Sequence, residues 1–219
     1  MTRTTLPAAV VFAASTALLL TGCGGGSSDS PDRAQSSAIG TPGTPTTSAT
    51  STRSAEPGAP TFDLPPDVRI EFAGFDAGGG KDKDVMRDAG YAITALLEAE
   101  ATVHATETAN FKRYWTGLSG ATYADTIIAR GRQGKVITGT YRYYSPRVTP
   151  NAQGAQVVSY CEDQRKAYAK DARTGRVRVT TPSLSDFRSW SLVMSRNSAG
   201  GWQVANYTWH QGARNCQVA

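Results

Sequence analysis

Trp190-Ser-Leu-Val-Met194, Asn197-Ser-Ala-Gly-Gly201 and Trp202-Gln-Val-Ala-Asn-Tyr207 follow one another near the C-terminus. Two runs of branched and aromatic residues flank a glycine-rich connection, which is the pattern of a β-hairpin. In the second run Trp202 and Val204 share one phase of the two-residue repeat, and Tyr207 and Trp209 share the other. That slip predicts a bulge near Ala205. Working backwards, the same period predicts strands over Val136 to Tyr144, ending at Pro146, and over Ala155 to Cys161. The polar stretch Glu162 to Gly175 is expected to loop back to a strand over Arg176 to Thr180, and Val68 to Phe72 forms a short leading strand.

Between the leading strand and Val136 the period changes. Val85, Met86, Ala89, Ile93, Leu96 and Leu97 recur at three- and four-residue spacing, the apolar stripe of an amphipathic helix. It is expected to run on through His104 to Trp115, with Thr102, Thr106 and Thr108 weakening it and Gly117 and Gly120 stopping it. A second short helix is expected over Tyr123 to Ala129. Helices followed by a run of strands predict an α+β fold, with helices packed on one face of a curved antiparallel sheet.

The first 61 residues read differently. One positive charge, Arg3, precedes an apolar run from Leu6 to Leu20, so residues 1–22 are expected to be a secretory signal peptide. The run ends in Leu20-Thr21-Gly22-Cys23, which resembles the bacterial lipobox. The resemblance implies that Cys23 becomes the first mature residue and carries lipid. The chain is then expected outside the bacterial cell membrane, held to its outer face. Residues 23–61 collapse to Gly, Ser, Thr, Pro and Ala with isolated charges, a composition that cannot bury enough surface to offset chain entropy. A disordered tether is expected there, and residues 62–219 are expected to form one domain.

Composition limits the chemistry. Three cysteines and two histidines in 219 residues exclude a cysteine-rich scaffold and the usual four-ligand zinc cluster, and no metal or cofactor is expected. There is no His-Glu-x-x-His, no Gly-x-Ser-x-Gly and no phosphate-cradling glycine loop before a helix. The net charge of +5 conceals a polarised domain. Phe62 to Asn110 holds four basic and ten acidic residues, whereas Phe111 to Ala219 holds sixteen and five. Arg165, Lys166, Lys170, Arg173, Arg176 and Arg178 concentrate the excess. They read either as a solubilising loop or as a contact for an anionic membrane or polymer. Export and the absence of interleaved aromatics argue against nucleic acid.

Two cysteines remain beyond Cys23, and export favours oxidation, so Cys161 and Cys216 are expected to form a disulfide. A redox-active pair would need close spacing, which these lack.

Ala155-Gln-Val-Val-Ser-Tyr-Cys161, Gly200-Gly-Trp202-Gln-Val-Ala-Asn-Tyr207-Thr-Trp209 and the terminal Cys216, placed after N-terminal helices, resemble the NTF2-like (SnoaL-like) domain of bacterial lipoproteins of unknown activity. The resemblance implies a cone-shaped fold with a pocket between helices and sheet. Tyr141, Tyr143 and Trp190 are placed to line it, with Glu100 and His104 on the helix face opposite. Glu100 and His104, four residues apart, read either as an acid–base pair or as a solvated polar turn. His210 reads as a surface residue. Related isomerases and cyclases set a carboxylate base in the cone. Here the acids near strands, Glu162, Asp163 and Asp186, fall at expected strand ends or in loops. The expected function is therefore binding of a small apolar ligand or a protein partner at the envelope, without catalysis. The alternatives are isomerase- or cyclase-like chemistry in the cone, or assembly on anionic polymers through the basic loop.

Overall fold

The computed structural model describes residues 58–77, 79–80, 82–103 and 108–218. The signal peptide, Cys23, nearly all of the tether and His104 lie outside the described residues.

A strand β1 (Val68–Phe72) precedes three helices, α1 (Asp82–Glu100), α2 (Ala109–Tyr114) and α3 (Gly117–Arg132). The strands β2 (Lys135–Pro150), β3 (Gln156–Asp171), β4 (Val177–Arg178), β5 (Phe187–Arg196) and β6 (Trp202–Gln211) follow. The fold is α+β, and the six strands form one curved sheet in the order β1-β2-β3-β5-β6, with β4 beside the far end of β3. The sheet is mixed, not antiparallel throughout: β1 runs parallel to β2, Val68 opposite Gly139 and Phe72 opposite Tyr143. The helices intervene between these two strands, so the chain re-enters the sheet from its starting end.

Helix α1 buries the expected stripe, with Val85, Ala89, Ile93, Leu96 and Leu97 turned onto the sheet. Its other side is covered by the segment that precedes β1. Buried Glu98 accepts a hydrogen bond from the Asp63 amide at 2.6 Å and from Asn110 Nδ2 at 3.0 Å, and Phe62 lies 6.1 Å from Tyr91. The helix does not reach Trp115. It stops at Glu100, and Thr108, whose hydroxyl accepts from Phe111 N–H at 3.2 Å, caps a separate α2. Gly117 opens α3 at φ +64 instead of ending a helix, and α3 is longer than expected in both directions.

The sheet's two faces follow the period-two reading. Tyr141, Tyr143, Val158, Tyr160, Trp190, Leu192, Met194 and Val204 face the helices and form the main core. Tyr144, Cys161 and Phe187 belong to the opposite, outer face, where Ala213 and Cys216 of the C-terminal tail cover them. Register slips from Val193–Asn206 to Met194–Val204, leaving Ala205 unpaired as the phase change required. Strand β2 also bends. Gly139 has φ +95 at a point where a Cβ would collide with the Lys166 carbonyl oxygen, so only glycine lets β2 and β3 approach there. Contrary to the expected loop, Glu162 to Asp171 continues as strand, and β2 runs past Pro146 to Pro150.

Candidate functional site

Tyr141, Tyr143, Trp190 and Glu100 of the expected pocket come together between helices and sheet, and His104 lies outside the described residues. Across the concave face, Tyr143, Glu162 and Arg188 lie side by side on β2, β3 and β5. The next row pairs Tyr160 with Trp190 and Trp190 with Trp209. Their rings touch in series, from buried Tyr143, Tyr160 and Trp190 to Trp209, which is 40% exposed at the edge of the set. Tyr160 stacks on Trp190 at 6.2 Å and 10°, Trp190 stacks on Trp209 at 5.8 Å, and Tyr143 meets Tyr160 edge-on at 5.8 Å. From the helices, Tyr123 reaches within 5.2 Å of the Tyr207 ring and 6.3 Å of Trp190.

Two carboxyls are enclosed by these rings. Glu162, 2% exposed, accepts from the Tyr143 hydroxyl at 3.1 Å, from Trp190 Nε1 at 2.7 Å and from Gln164 Nε2 at 2.7 Å. Arg188 lies 3.9 Å from it. Glu100, at the end of α1, accepts from Arg130 at 2.9 Å and from the Tyr123 hydroxyl at 3.4 Å, its side chain 9% exposed. Burial pushes the Glu100 carboxyl above the usual glutamate range; the Arg130 guanidinium opposes this and the charge of Glu162 adds to it. Burial likewise raises the hydroxyls of Tyr123, Tyr141, Tyr143 and Tyr160, so they remain protonated donors near neutrality. The arrangement can hold protons and share them, with the rings packed where a substrate would stand.

Sequence reading anticipated Tyr141, Tyr143, Trp190 and Glu100 here. It missed Glu162, Arg188, Tyr123 and Arg130. For Glu162 the signal was present: Val158, Tyr160 and Glu162 keep one phase, and only the polarity of the third residue argued for a strand end.

The open groove is on the other face of the sheet. About 770 Å³ in volume, it is lined by Glu71, Thr140, Arg142, Asp163, Arg165 and Lys166, with Tyr168 and Pro182 at its side. Glu71 pairs in register with Arg142 and Arg142 with Asp163, which lays alternating charges across three strands. Arg165 is locked by a two-point bond to Asp163, at 3.1 and 2.8 Å, and lies 4.9 Å over the Phe187 ring. Burial works to raise the Asp163 carboxyl, yet the Arg165 side chain and amide together hold it below the usual range. Arg142, 5.3 Å over Tyr144, and exposed Lys166 form no ion pair among the described residues.

The remaining basic residues divide. Lys170 is engaged by Asp67 across the sheet edge. Arg173, Arg176 and Arg178 are exposed in a run from Ala172 to Ser183 that holds no acidic residue, together with Val179, itself 70% exposed. His210 is exposed on β6.

Among the described residues, no group of three or more His, Cys, Asp or Glu is placed to hold a metal, and no helix is long and apolar enough to cross a membrane. Neither a family model nor a curated protein matches the chain. The intermembrane-space region of the chloroplast protein ARC6, a solved structure, is similar over 61% of this chain and 99% of its own length. The TM-score is 0.44 at 13% identity.

Proposed function

We propose that the chain is an exported lipoprotein, held by lipid on Cys23, whose NTF2-like domain works by binding an anionic envelope partner on the outer face of its sheet. One observation carries the reading. Tyr143, Tyr160 and Trp190 pack ring against ring on the helix-facing side of the sheet, whereas the groove beside Arg142, Arg165 and Lys166 is open and has cations to offer. The cone assignment is supported by helices packed on the inner face of a curved sheet, by the bulge at Ala205 and by the long bent β2. The tethered placement is supported by Leu20-Thr-Gly-Cys23 and the Gly/Ser/Thr/Pro stretch after it. Catalysis in the cone is a second reading, favoured by the raised Glu100 carboxyl beside the Tyr123 hydroxyl. It needs the rings to part and admit a substrate.

Binding of the full chain to polyanion-coated and neutral beads tests the first reading. Exposed charges are screened over about 10 Å at 0.1 M salt, so capture on the polyanion is expected to fall steeply as salt rises. Two well-placed cations are worth about 1 kcal/mol each, so the Arg142→Ala/Lys166→Ala double variant should bind roughly 30-fold more weakly. Binding that is indifferent to salt and to both substitutions rejects the outer face. Anchoring has its own test: Cys23→Ala is expected to move the chain from the membrane to the soluble fraction, and retention of the variant on the membrane excludes lipid on Cys23 as the anchor.

A further inference from the structure

A second cleft, about 620 Å³ in volume, lies where the middle of α1, the end of α2 and the β5–β6 loop meet, away from the outer groove. Asp88, Arg113, Tyr114, Asn197 and Trp202 are on its walls. Its acceptors are already used within the chain. Asp88 Oδ1 accepts from Arg87 Nε at 3.0 Å and Oδ2 from the Trp202 amide at 2.9 Å. Asn197 Oδ1 accepts from the amides of Ala199 and Gly201, both at 3.0 Å.

Its donors are left over. The Arg113 guanidinium lies 5.3 Å over the Tyr114 ring and makes no ion pair or hydrogen bond among the described residues. The Tyr114 hydroxyl, on a buried ring, and Asn197 Nδ2 likewise have no acceptor among them. Trp202 is 5% exposed, and its indole N–H has no partner among the described residues. The other interior indoles are satisfied, Trp115 by the Ala92 carbonyl at 2.9 Å and Trp190 by Glu162 at 2.7 Å. A buried donor without an acceptor costs about 1–3 kcal/mol, which applies here to the Trp202 indole; the Arg113 guanidinium, the Tyr114 hydroxyl and Asn197 Nδ2 are reached by solvent, and all four residues line the one cleft.

We propose that this cleft binds a phosphate group. A phosphate brings several acceptor oxygens to donors arriving from different elements, which a single carbonyl or hydroxyl does not. The group could belong to a free phosphate compound or to a lipid headgroup, and the two are separable by experiment.

The four tryptophans give four indole N–H signals in a nitrogen-15-labelled sample of the full, oxidised chain. Inorganic phosphate at concentrations on the order of 10 mM is expected to move the Trp202 signal saturably and to leave those of Trp115 and Trp190 in place. Charge-assisted hydrogen bonds are worth about 1.5–3 kcal/mol, so Arg113→Ala should weaken the response by tenfold or more. Arg113 is exposed on α2, so the fold should tolerate its loss. Arg132, exposed at the end of α3 and not on the walls of this cleft, is the control. Arg132→Ala should leave the affinity unchanged. Competition by phosphatidylglycerol vesicles would assign the group to a lipid headgroup, and its absence to a soluble phosphate; both retain the site. A Trp202 signal that stays still, or a response lost with Arg132 and kept without Arg113, overturns it.

Discussion

Replacing Glu162 by alanine is expected to cost about 3–5 kcal/mol of folding stability, the range for breaking a buried charge network from one side. The carboxylate is the acceptor that the Tyr143 hydroxyl, the Trp190 indole and Gln164 share, and it faces Arg188 at 3.9 Å. Without it, a hydroxyl and an indole N–H stay in the core with nothing to accept their protons. Arg188, whose Nε is already buried without a partner among the described residues, would lose the carboxylate that lies 3.9 Å from it. Tyr143 and Trp190 are ring-packed into the core, so neither can turn to water for replacement. At roughly 2–4 °C per kcal/mol for a chain of this size, Tm should fall by about 10 °C. Urea unfolding should show a lower midpoint with an unchanged slope. A loss below about 1 kcal/mol would mean that Glu162 is not the shared acceptor.

Glu100 supplies the opposite-signed control. Its folded carboxyl is raised, so the protonated form contributes stability below the ordinary glutamate range, and that contribution is lost as pH rises through the raised value. Glu100→Gln is neutral at every pH. It should therefore match the parent chain in acid and exceed it in stability at neutral pH and above, while Arg130, 43% exposed, is resolvated. Two buried glutamates, one from α1 and one from β3, thus differ in kind: one organises its surroundings, and the other is tolerated by them.

That difference was only partly legible beforehand. The helix stripe, the final hairpin, the unpaired Ala205 and the covalent link between Cys161 and Cys216 all follow from local periodicity or from counting cysteines. The course of β3 past Cys161 does not. Glu162, Asp163, Gln164 and Arg165 look like a loop because each is polar, yet Glu162 finds its donors on β2 and β5, and Asp163 finds Arg165 two residues on. A polar residue reads as exposed unless its partner is known, and here Tyr143 and Trp190, the partners that bury Glu162, lie 19 and 28 residues away. The parallel register of β1 on β2 is hidden for the same reason, since a five-residue strand carries no mark of which neighbour it joins. The aromatic set between helices and sheet was visible as a list of residues; that the rings meet depends on the sheet's bend.

Removing the disulfide is the second large effect. Cys161 and Cys216 are joined across 55 residues, their Cα atoms 5.3 Å apart. Chain-entropy arithmetic for a loop of that length gives about 4 kcal/mol. Packing points the same way. The tail from Ala213 to Val218 covers Tyr144 and Phe187 on the outer face, and the Tyr144 hydroxyl donates to the Cys216 carbonyl. A reduced tail is held by little else, and its release would expose both aromatic rings. The Cys161→Ala/Cys216→Ala chain is expected to lose roughly 10 °C in Tm, and the parent chain in excess reductant should coincide with it. If reductant shifts the parent by less than about 1 kcal/mol, the tail is held by packing alone and the bond is dispensable. Domains of this size are typically stable by about 5–15 kcal/mol, so a loss near 4 would leave little margin in a reducing compartment. The same melting curve therefore bears on where the protein works: a large dependence on oxidation fits the exported placement proposed from Cys23, and a negligible one removes that support.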